Sequence, residues 1–194
     1  MNLPNKLTVL RVILVPVFLI FTYVSAIPCH YILALVVFAA ASITDMLDGK
    51  IARKHNLVTN FGKFLDPLAD KILVISALMA FVDIKDYRLS AIPVIIIIIR
   101  EFTVSGLRLV TASEGVVVAA GIWGKLKTAF TMVGIVAVLL CLSIRYDFAI
   151  SPENCIWDSV MLCCDVIIWI AAVLTIISGV VYLKEYWKYI NPKE

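Results

Sequence analysis

The sequence is short of charged residues. Asp, Glu, Lys and Arg together make up 16% of its 194 residues, whereas a soluble domain carries about 25%. Hydrophobic residues account for 62% of the chain, and the mean hydropathy is +1.02. This composition excludes an ordinary soluble domain and is typical of a protein that spans a membrane.

Cysteine patterns that bind metals are also absent from the sequence. The five cysteines show no CxxC spacing, and no cluster of histidines accompanies them, which argues against a zinc site. No internal repeat, low-complexity stretch or separate soluble region is visible, so we expect a single integral-membrane domain over residues 1–194. The net charge of +3 says little about partners by itself, and we expect no nucleic-acid partner.

Six apolar segments follow one another along the chain, each near the ~20 residues needed to cross a bilayer. Breaks that are polar or contain Gly or Pro separate them. The first segment lacks a good cleavage signal, so we expect it to be retained, and the MNLPNKLTVLR opening is amphipathic. The sequence predicts an all-α membrane protein, a bundle of about six transmembrane helices with an N-terminal amphipathic interfacial segment. The segments cover roughly 8–27, 30–53, 60–82, 89–112, 123–144 and 160–184.

Basic residues are concentrated at one end of these segments. If the N-terminus lies inside, only Lys85, Arg88 and Arg145 fall in the outer turns, beside several acidic residues. The positive-inside rule then predicts a multi-pass protein of a bacterial plasma membrane with both termini in the cytoplasm. A belt of aromatic residues at the membrane interface is expected at the end of the last span, formed by Tyr182, Tyr186, Trp187 and Tyr189.

Four aspartates form two pairs in the otherwise apolar chain. Asp45 and Asp48 are three residues apart, and Asp66 and Asp70 are four apart, so on helices each pair lies on one face. A short polar turn would bring the two pairs together at the cytoplasmic end. Four carboxylates repel one another unless cations lie among them, and their oxygens suit Mg²⁺ or Mn²⁺. Two such ions at ~3.5–4 Å from each other would suit phosphoryl transfer.

Small residues and one arginine accompany the aspartates. Gly49 follows the first pair and Gly62 precedes the second, and neither has a side chain to keep a ligand away from the backbone. Ala52 leaves the face of the first pair open. Arg53 can pair with a carboxylate or donate two hydrogen bonds to a phosphate.

These residues match a known family signature at every position. The pattern is Asp45-x2-Asp48-Gly49-x2-Ala52-Arg53-x8-Gly62-x3-Asp66-x3-Asp70, and it resembles the CDP-alcohol phosphatidyltransferases. The stretches NLPNKLTVLR, NLVTNFGKFLDPLADK, REFTVSGLR and GKLKTAFTM resemble the bacterial branch whose acceptor is sn-glycerol 3-phosphate. The resemblance implies a membrane-embedded enzyme of about six spans, typically a homodimer, that requires Mg²⁺ or Mn²⁺. Such enzymes move a phosphatidyl group from CDP-diacylglycerol to an alcohol and release CMP.

The resemblance also implies roles for individual residues. Asp45, Asp48 and Asp66 would be metal ligands. Asp70 would be a further metal ligand, the general base for the acceptor hydroxyl, or both. The CDP moiety would be held by Asn5, Thr8, Arg11, Asp48, Gly49, Ala52, Arg53, Gly62 and Asp66.

The acceptor needs a site of its own. The phosphate of sn-glycerol 3-phosphate carries about two negative charges, and we expect Arg108, Lys125 and Lys127 to bind it from the inner ends of the fourth and fifth spans. Basic residues at inner helix ends also follow from topology alone. The two lysines are two residues apart and do not share a helix face. Arg100 and Glu101, near the middle of the fourth span, are adjacent and need separate partners. An interhelical ion pair is expected there, and the floor of the acceptor pocket is the alternative, since Glu101, Ser105 and Arg108 share one helix face.

Two alternative functions fit parts of the pattern. Within the family, the acceptor could instead be phosphatidylglycerol, as in a cardiolipin synthase, or serine or inositol phosphate. Outside the family, a small cation transporter would explain intramembrane aspartates in about six spans. It would not explain the glycines, the arginine or the basic cluster, and the inverted repeats that transporters often contain are not visible.

Overall fold

The computed structural model describes residues 3–55, 60–87, 89–113, 121–148 and 154–190. Side chains in these ranges are described except at residues 3–5, 45–55, 60–67, 70, 112–113, 154–155 and 188–190. The described residues form six α-helices and no strand. The helices are α1 Leu3–Tyr23, α2 His30–His55, α3 Asn60–Asp83, α4 Ala91–Ser113, α5 Ile122–Leu142 and α6 Asn154–Ile190, and the π-helical turn Ser143–Asp147 extends α5.

The predicted all-α membrane fold is confirmed. Each helix coincides with one of the six apolar segments, because an unbroken apolar run of this length satisfies its backbone most simply as a helix. Three described stretches are long and apolar enough to cross a membrane, Lys6–Tyr23, Ile122–Asp147 and Ile156–Trp187, and His30–Thr44 is a shorter apolar helix. The number of spans and the interfacial position of the N-terminal segment stay predictions.

Two helices end elsewhere than the sequence indicates. The first ends at Tyr23 rather than residue 27, and the chain then turns through Cys29, whose φ of 56° lies in the left-handed region. The last helix runs for 37 residues, about 55 Å, and exceeds its predicted span at both ends. Its sequence contains no proline, so α6 continues across the interval that Pro152 and Pro192 enclose.

The chain divides into two compact units. Unit 1 comprises Met1–Leu89 and Ile135–Met161, and unit 2 comprises Ser90–Gly134 and Leu162–Glu194. Unit 1 therefore contains α1, α2 and α3 with the end of α5 and the start of α6. Unit 2 contains α4 with the first half of α5 and most of α6.

In unit 1, α1 packs against both α2 and α3. Phe18 of α1 and Phe38 of α2 are fully buried, and their ring centroids are 6.0 Å apart. Buried alanines flank Phe38 at helical spacing, Ala34 before it and Ala41 after it. Such small side chains let neighbouring helices approach closely.

The start of α2 is held by a group of side chains that we call the tyrosine–aspartate cluster, formed by Tyr31, Asp86 and Asp147. The Asp147 carboxylate accepts the backbone N–H of Ile32 at 2.7 Å and that of Tyr31 at 3.4 Å. The Tyr31 hydroxyl donates to Asp86 at 2.7 Å. Because the first N–H groups of a helix have no partner within it, Asp147 caps α2 from a distant part of the chain.

In unit 2, glycines let α6 approach its neighbours. A Cβ at Gly134 of α5 would lie 3.0 Å from Ile168 Cγ1, and a Cβ at Gly179 of α6 would lie 3.1 Å from Arg100 Cγ. Both distances are too short for a larger residue without a shift of its neighbour. The absence of these side chains therefore sets the separation of α6 from α5 and from the Arg100 side chain.

Candidate active site

The buried side of α1 begins with two polar residues. Thr8 is fully buried and Arg11 is only 1% exposed, and the same stripe continues with the buried Val15 and Phe18 at helical spacing. A buried guanidinium in an apolar helix is costly, so it usually marks a functional position. Both polar residues belong to the predicted CDP site.

Antiparallel packing of α1 and α2 places Thr8 and Asp45 at the same distance along their helices from the point where the two helices meet. His30 Nδ1 lies 3.0 Å from the Phe21 carbonyl oxygen, so the end of α1 meets the start of α2, and the two helices then pack along each other. Thr8 lies 15 residues before the end of α1, and Asp45 lies 15 residues after the start of α2. Each is about 23 Å from the meeting point, given a rise of about 1.5 Å per residue.

The second aspartate pair lies on α3 about as far from the α2–α3 link as the first pair lies on α2. Only four residues separate His55, where α2 ends, from Asn60, where α3 begins, and such a link can span at most about 18 Å. Asp48 and Asp66 each lie about 10 Å along their helix from this link. The outer member of each pair lies ten residues from its helix end, about 15 Å.

The donor set of this stretch suits a divalent cation. The four aspartates offer only oxygen atoms, which Mg²⁺ and Mn²⁺ prefer. Their side chains lie outside the described part of the chain, so their convergence stays a prediction. The same holds for the side chains of Asn5, Ala52 and Arg53, and for the surroundings of Gly49 and Gly62, although all of these positions are helical.

Unit 2 contains a group of charged residues around the buried Tyr182, which we call the arginine cluster: Arg100, Glu101, Arg108, Lys127 and Tyr182. Glu101 of α4 forms an ion pair with Lys127 of α5, and this lysine is only 8% exposed. Arg100 Nη1 lies 3.5 Å from the same carboxylate, and its Nη2 donates to the Ser178 hydroxyl at 2.6 Å. The interhelical ion pair expected for this part of α4 is therefore present, between Glu101 and Lys127.

Tyr182 of α6 lies at the centre of the arginine cluster. Its hydroxyl oxygen accepts hydrogen bonds from Arg108 Nη2 at 3.2 Å and from the Gly121 backbone N–H at 2.8 Å. The guanidinium carbons of Arg100 and Arg108 are each 5.5 Å from the centroid of its ring, within cation–π range. The cluster thus contains three cationic side chains and one carboxylate, an excess of two positive charges, and the carboxylate of Glu101 pairs with Lys127 and Arg100.

The three residues predicted to bind the acceptor phosphate have different environments. Lys127 is buried against Glu101, whereas Lys125 is exposed, as expected for lysines two positions apart. Arg108 is exposed but held by Tyr182. Among the described residues, Arg108 forms no ion pair with a carboxylate.

Two contributors to this cluster were missed by sequence reasoning. The sequence predicts Tyr182 in an interfacial belt, but the structure buries it at 4% exposure, and Ser178 is not among the residues predicted from the sequence. Both lie on the face of α6 that also carries Gly179 next to Arg100. The spacing of Ser178 and Tyr182, four residues in a helix, was the available sign that they share a face.

Comparison with known proteins identifies the family. A model of the CDP-alcohol phosphatidyltransferases matches residues 1–181. The chain belongs to this family. The matched range includes every signature position of the family and ends one residue before Tyr182.

Curated relatives of this family match nearly the whole chain. A Bacillus subtilis protein named CDP-diacylglycerol–glycerol-3-phosphate 3-phosphatidyltransferase is 40% identical over 198 residues, 96% of each chain. A protein of the same name from Rickettsia bellii is 40% identical over 188 residues, 97% of each chain. A third from Haemophilus influenzae is 37% identical, over 94% of this chain and 92% of its own.

Proposed function

We propose that this CDP-alcohol phosphatidyltransferase transfers the phosphatidyl group of CDP-diacylglycerol to sn-glycerol 3-phosphate. The C1 hydroxyl oxygen of the acceptor attacks the phosphorus next to diacylglycerol. The bond from that phosphorus to the CMP oxygen breaks, and the hydroxyl proton passes to Asp70. The products are phosphatidylglycerophosphate and CMP.

The choice of acceptor is supported most by the arginine cluster. Its excess of two positive charges matches the ~2 negative charges of a phosphate monoester. An uncharged alcohol would not require such an excess in an apolar helix bundle, where uncompensated charge is costly. We assign the acceptor phosphate to Arg108 and Lys127, with Lys125 at the exposed start of α5. The names of the relatives agree with this acceptor.

The CDP moiety is assigned to unit 1. The buried Thr8 and Arg11 supply a hydroxyl and a guanidinium, and a guanidinium can donate two hydrogen bonds to one phosphate. The further residues of this site come from the signature and the start of α1: Asn5, Asp48, Gly49, Ala52, Arg53, Gly62 and Asp66.

The four signature aspartates are assigned to divalent cations. Asp45, Asp48, Asp66 and Asp70 would hold Mg²⁺ or Mn²⁺ in a two-metal site. Bound ions of this kind neutralise phosphate oxygens and stabilise a leaving phosphate. The other residues of the site would position the substrates. Holding both substrates in line for attack removes much of the activation barrier.

We also propose a setting for the enzyme. The distribution of basic residues favours a bacterial plasma membrane with both termini and the active site on the cytoplasmic side. The whole chain, residues 1–194, would act as one catalytic domain within a homodimer. Its lipid substrate and product would exchange with the surrounding membrane lipids.

An acceptor panel tests the proposal. The purified protein in detergent would receive CDP-diacylglycerol and Mg²⁺ with glycerol 3-phosphate, phosphatidylglycerol, serine or inositol phosphate, and CMP release would be measured. We expect release with glycerol 3-phosphate, loss of release with EDTA, and recovery with Mg²⁺ or Mn²⁺. Release with another acceptor but not with glycerol 3-phosphate would contradict the assignment.

Matched variants tie the activity to the signature. Asp66→Asn should lower kcat by about 10²- to 10³-fold, the scale of losing one electrostatic contact to the reacting group. Asp158→Asn changes an exposed aspartate of α6 and should leave kcat unchanged. Equal activity of Asp66→Asn and Asp158→Asn would show that the signature is not the catalytic site.

A further inference from the structure

The hydroxyl of Tyr182 on α6 joins two other parts of unit 2. It accepts one hydrogen bond from the Arg108 guanidinium and another from the backbone N–H of Gly121. The first donor lies near the end of α4, and the second immediately precedes α5. Because Tyr182 is buried against Val104 and Leu107, its ring is fixed, and its oxygen is a fixed point for both donors.

Tyrosine holds an arginine differently from a carboxylate. An aspartate or glutamate at this position would orient Arg108 but would also neutralise its charge. The Tyr182 hydroxyl and ring orient the guanidinium while leaving its full positive charge available to an anion. The one carboxylate of the cluster, Glu101, instead lies against Lys127 and Arg100.

We propose that Tyr182 is a positioning residue of the acceptor site, which rests on the function proposed above. Its hydroxyl and ring hold the Arg108 guanidinium in the orientation that receives the phosphate of the acceptor. It acts through Arg108 and does not contact the reacting atoms. Without it, the long arginine side chain would have to be ordered by the substrate, at the expense of side-chain entropy on binding.

Tyr182→Phe tests the hydroxyl alone, because the ring and its packing are retained. The KM for glycerol 3-phosphate should rise about tenfold, the scale of one hydrogen bond to a charged group. The kcat and the KM for CDP-diacylglycerol should stay within about twofold, since neither depends on Arg108 orientation. Titration calorimetry with glycerol 3-phosphate should show the same loss of affinity without turnover.

The neighbouring tyrosine provides a matched control. Tyr186 stacks on Tyr182 with centroids 6.2 Å apart, one helical turn further along α6. Tyr186→Phe removes a hydroxyl from the same helix without touching the Arg108 or Gly121 contact, and we expect an unchanged KM for glycerol 3-phosphate. A similar rise in both variants, or a lower melting temperature of Tyr182→Phe with an unchanged KM, would overturn the positioning role.

A double-mutant cycle with Arg108→Lys tests whether the effect passes through Arg108. Lysine keeps the charge but lacks the planar group that the tyrosine orients, so this variant should raise the same KM even with Tyr182 intact. In that background, Tyr182→Phe should add less than about a twofold further change, because the partner is already gone. If the KM of the double variant instead rose by the product of the two single-variant factors, the two residues would act independently and the proposal would be overturned.

Failure of the proposed function would look different. If the acceptor assignment is wrong, CMP release by the unmodified protein will not depend on glycerol 3-phosphate. If only the positioning role is wrong, the unmodified protein will use glycerol 3-phosphate, and Tyr182→Phe will use it equally well.

Discussion

The described residues form two polar clusters of opposite charge, one acidic and one basic. In the tyrosine–aspartate cluster of unit 1, Asp147 accepts two backbone N–H groups and Asp86 accepts the Tyr31 hydroxyl. In the arginine cluster of unit 2, Glu101 is the one carboxylate beside three cationic side chains, and it pairs with Lys127 and Arg100. The carboxylates of the first cluster are held by hydrogen bonds from uncharged groups, whereas the second cluster has positive charge in excess.

This difference separates a structural cluster from the proposed binding site. The tyrosine–aspartate cluster borders an open cavity of about 920 Å³, and its carboxylates accept hydrogen bonds from Tyr31 and from the start of α2. Hydrogen bonds between distant parts of the chain stabilise one arrangement of the helices. An excess of like charge in a helix bundle is costly and is retained where a substrate offsets it. Charge balance, rather than cavity size, therefore favours the arginine cluster as the proposed site for an anion.

The largest effect on stability is expected from Glu101→Gln. Removing this charge leaves Arg100 and Lys127 without their shared counter-ion at nearly buried positions, which should lower the free energy of unfolding by about 3 kcal/mol. Thermal unfolding in detergent would measure the loss. Added glycerol 3-phosphate should raise the melting temperature more in this variant than in the unmodified protein, because the phosphate then offsets more positive charge.

Glu185→Gln is the matched control for this change. Glu185 is exposed on α6, and losing its charge should alter stability by less than about 0.5 kcal/mol. If Glu101→Gln were no less stable than Glu185→Gln, the arginine cluster would not depend on its carboxylate, and the comparison of the two clusters would fail.

The helices could be predicted from the sequence because each is a long apolar run between breaks. The limits of α6 could not, since a polar segment such as residues 154–159 continues a helix as readily as it forms a turn. The distance of each signature aspartate along its helix from the helix end was also predictable, because the rise per residue converts residue spacing into distance. Arg108 and Lys127 were predicted from the charge that a phosphate requires, and their binding of the acceptor stays a prediction.

The contacts inside the arginine cluster could not be predicted in the same way. Glu101 and Lys127 are 26 positions apart, and Arg108 and Tyr182 are 74 apart, so their pairing depends on how the helices pack. Aromatic residues near a helix end are typical of membrane interfaces, and that rule placed Tyr182 in a belt with Tyr186. The rule cannot distinguish the side of α6 that faces α4 from the side that faces lipid.

A smaller effect is expected from Asp147→Asn in the tyrosine–aspartate cluster. The amide keeps the size of the side chain but weakens the two hydrogen bonds that cap α2, which should cost about 1–2 kcal/mol of stability. The KM values for both substrates should not change, because the first turn of α2 lies about 21 Å along the helix from Asp45. Asp158→Asn, at an exposed position, is the control for charge alone. A changed KM for glycerol 3-phosphate with unchanged stability would mean that this cluster also serves substrate binding.

The smallest effect is expected from Gly179→Ala, which places a methyl group between the backbone of α6 and Arg100. The new Cβ would lie 3.1 Å from Arg100 Cγ, and the guanidinium cannot shift freely because Ser178 and Glu101 hold it. Alanine favours the helix by up to about 1 kcal/mol over glycine, which offsets much of the strain, so the net loss of stability should be below about 1 kcal/mol.

Gly134→Ala is the contrasting case. Its Cβ would meet the branched Ile168 at 3.0 Å in an apolar contact, and the substitution should cost about 1–2 kcal/mol of stability. A larger loss in Gly179→Ala than in Gly134→Ala would show that the position of Arg100 is more rigid than the apolar contact between α5 and α6.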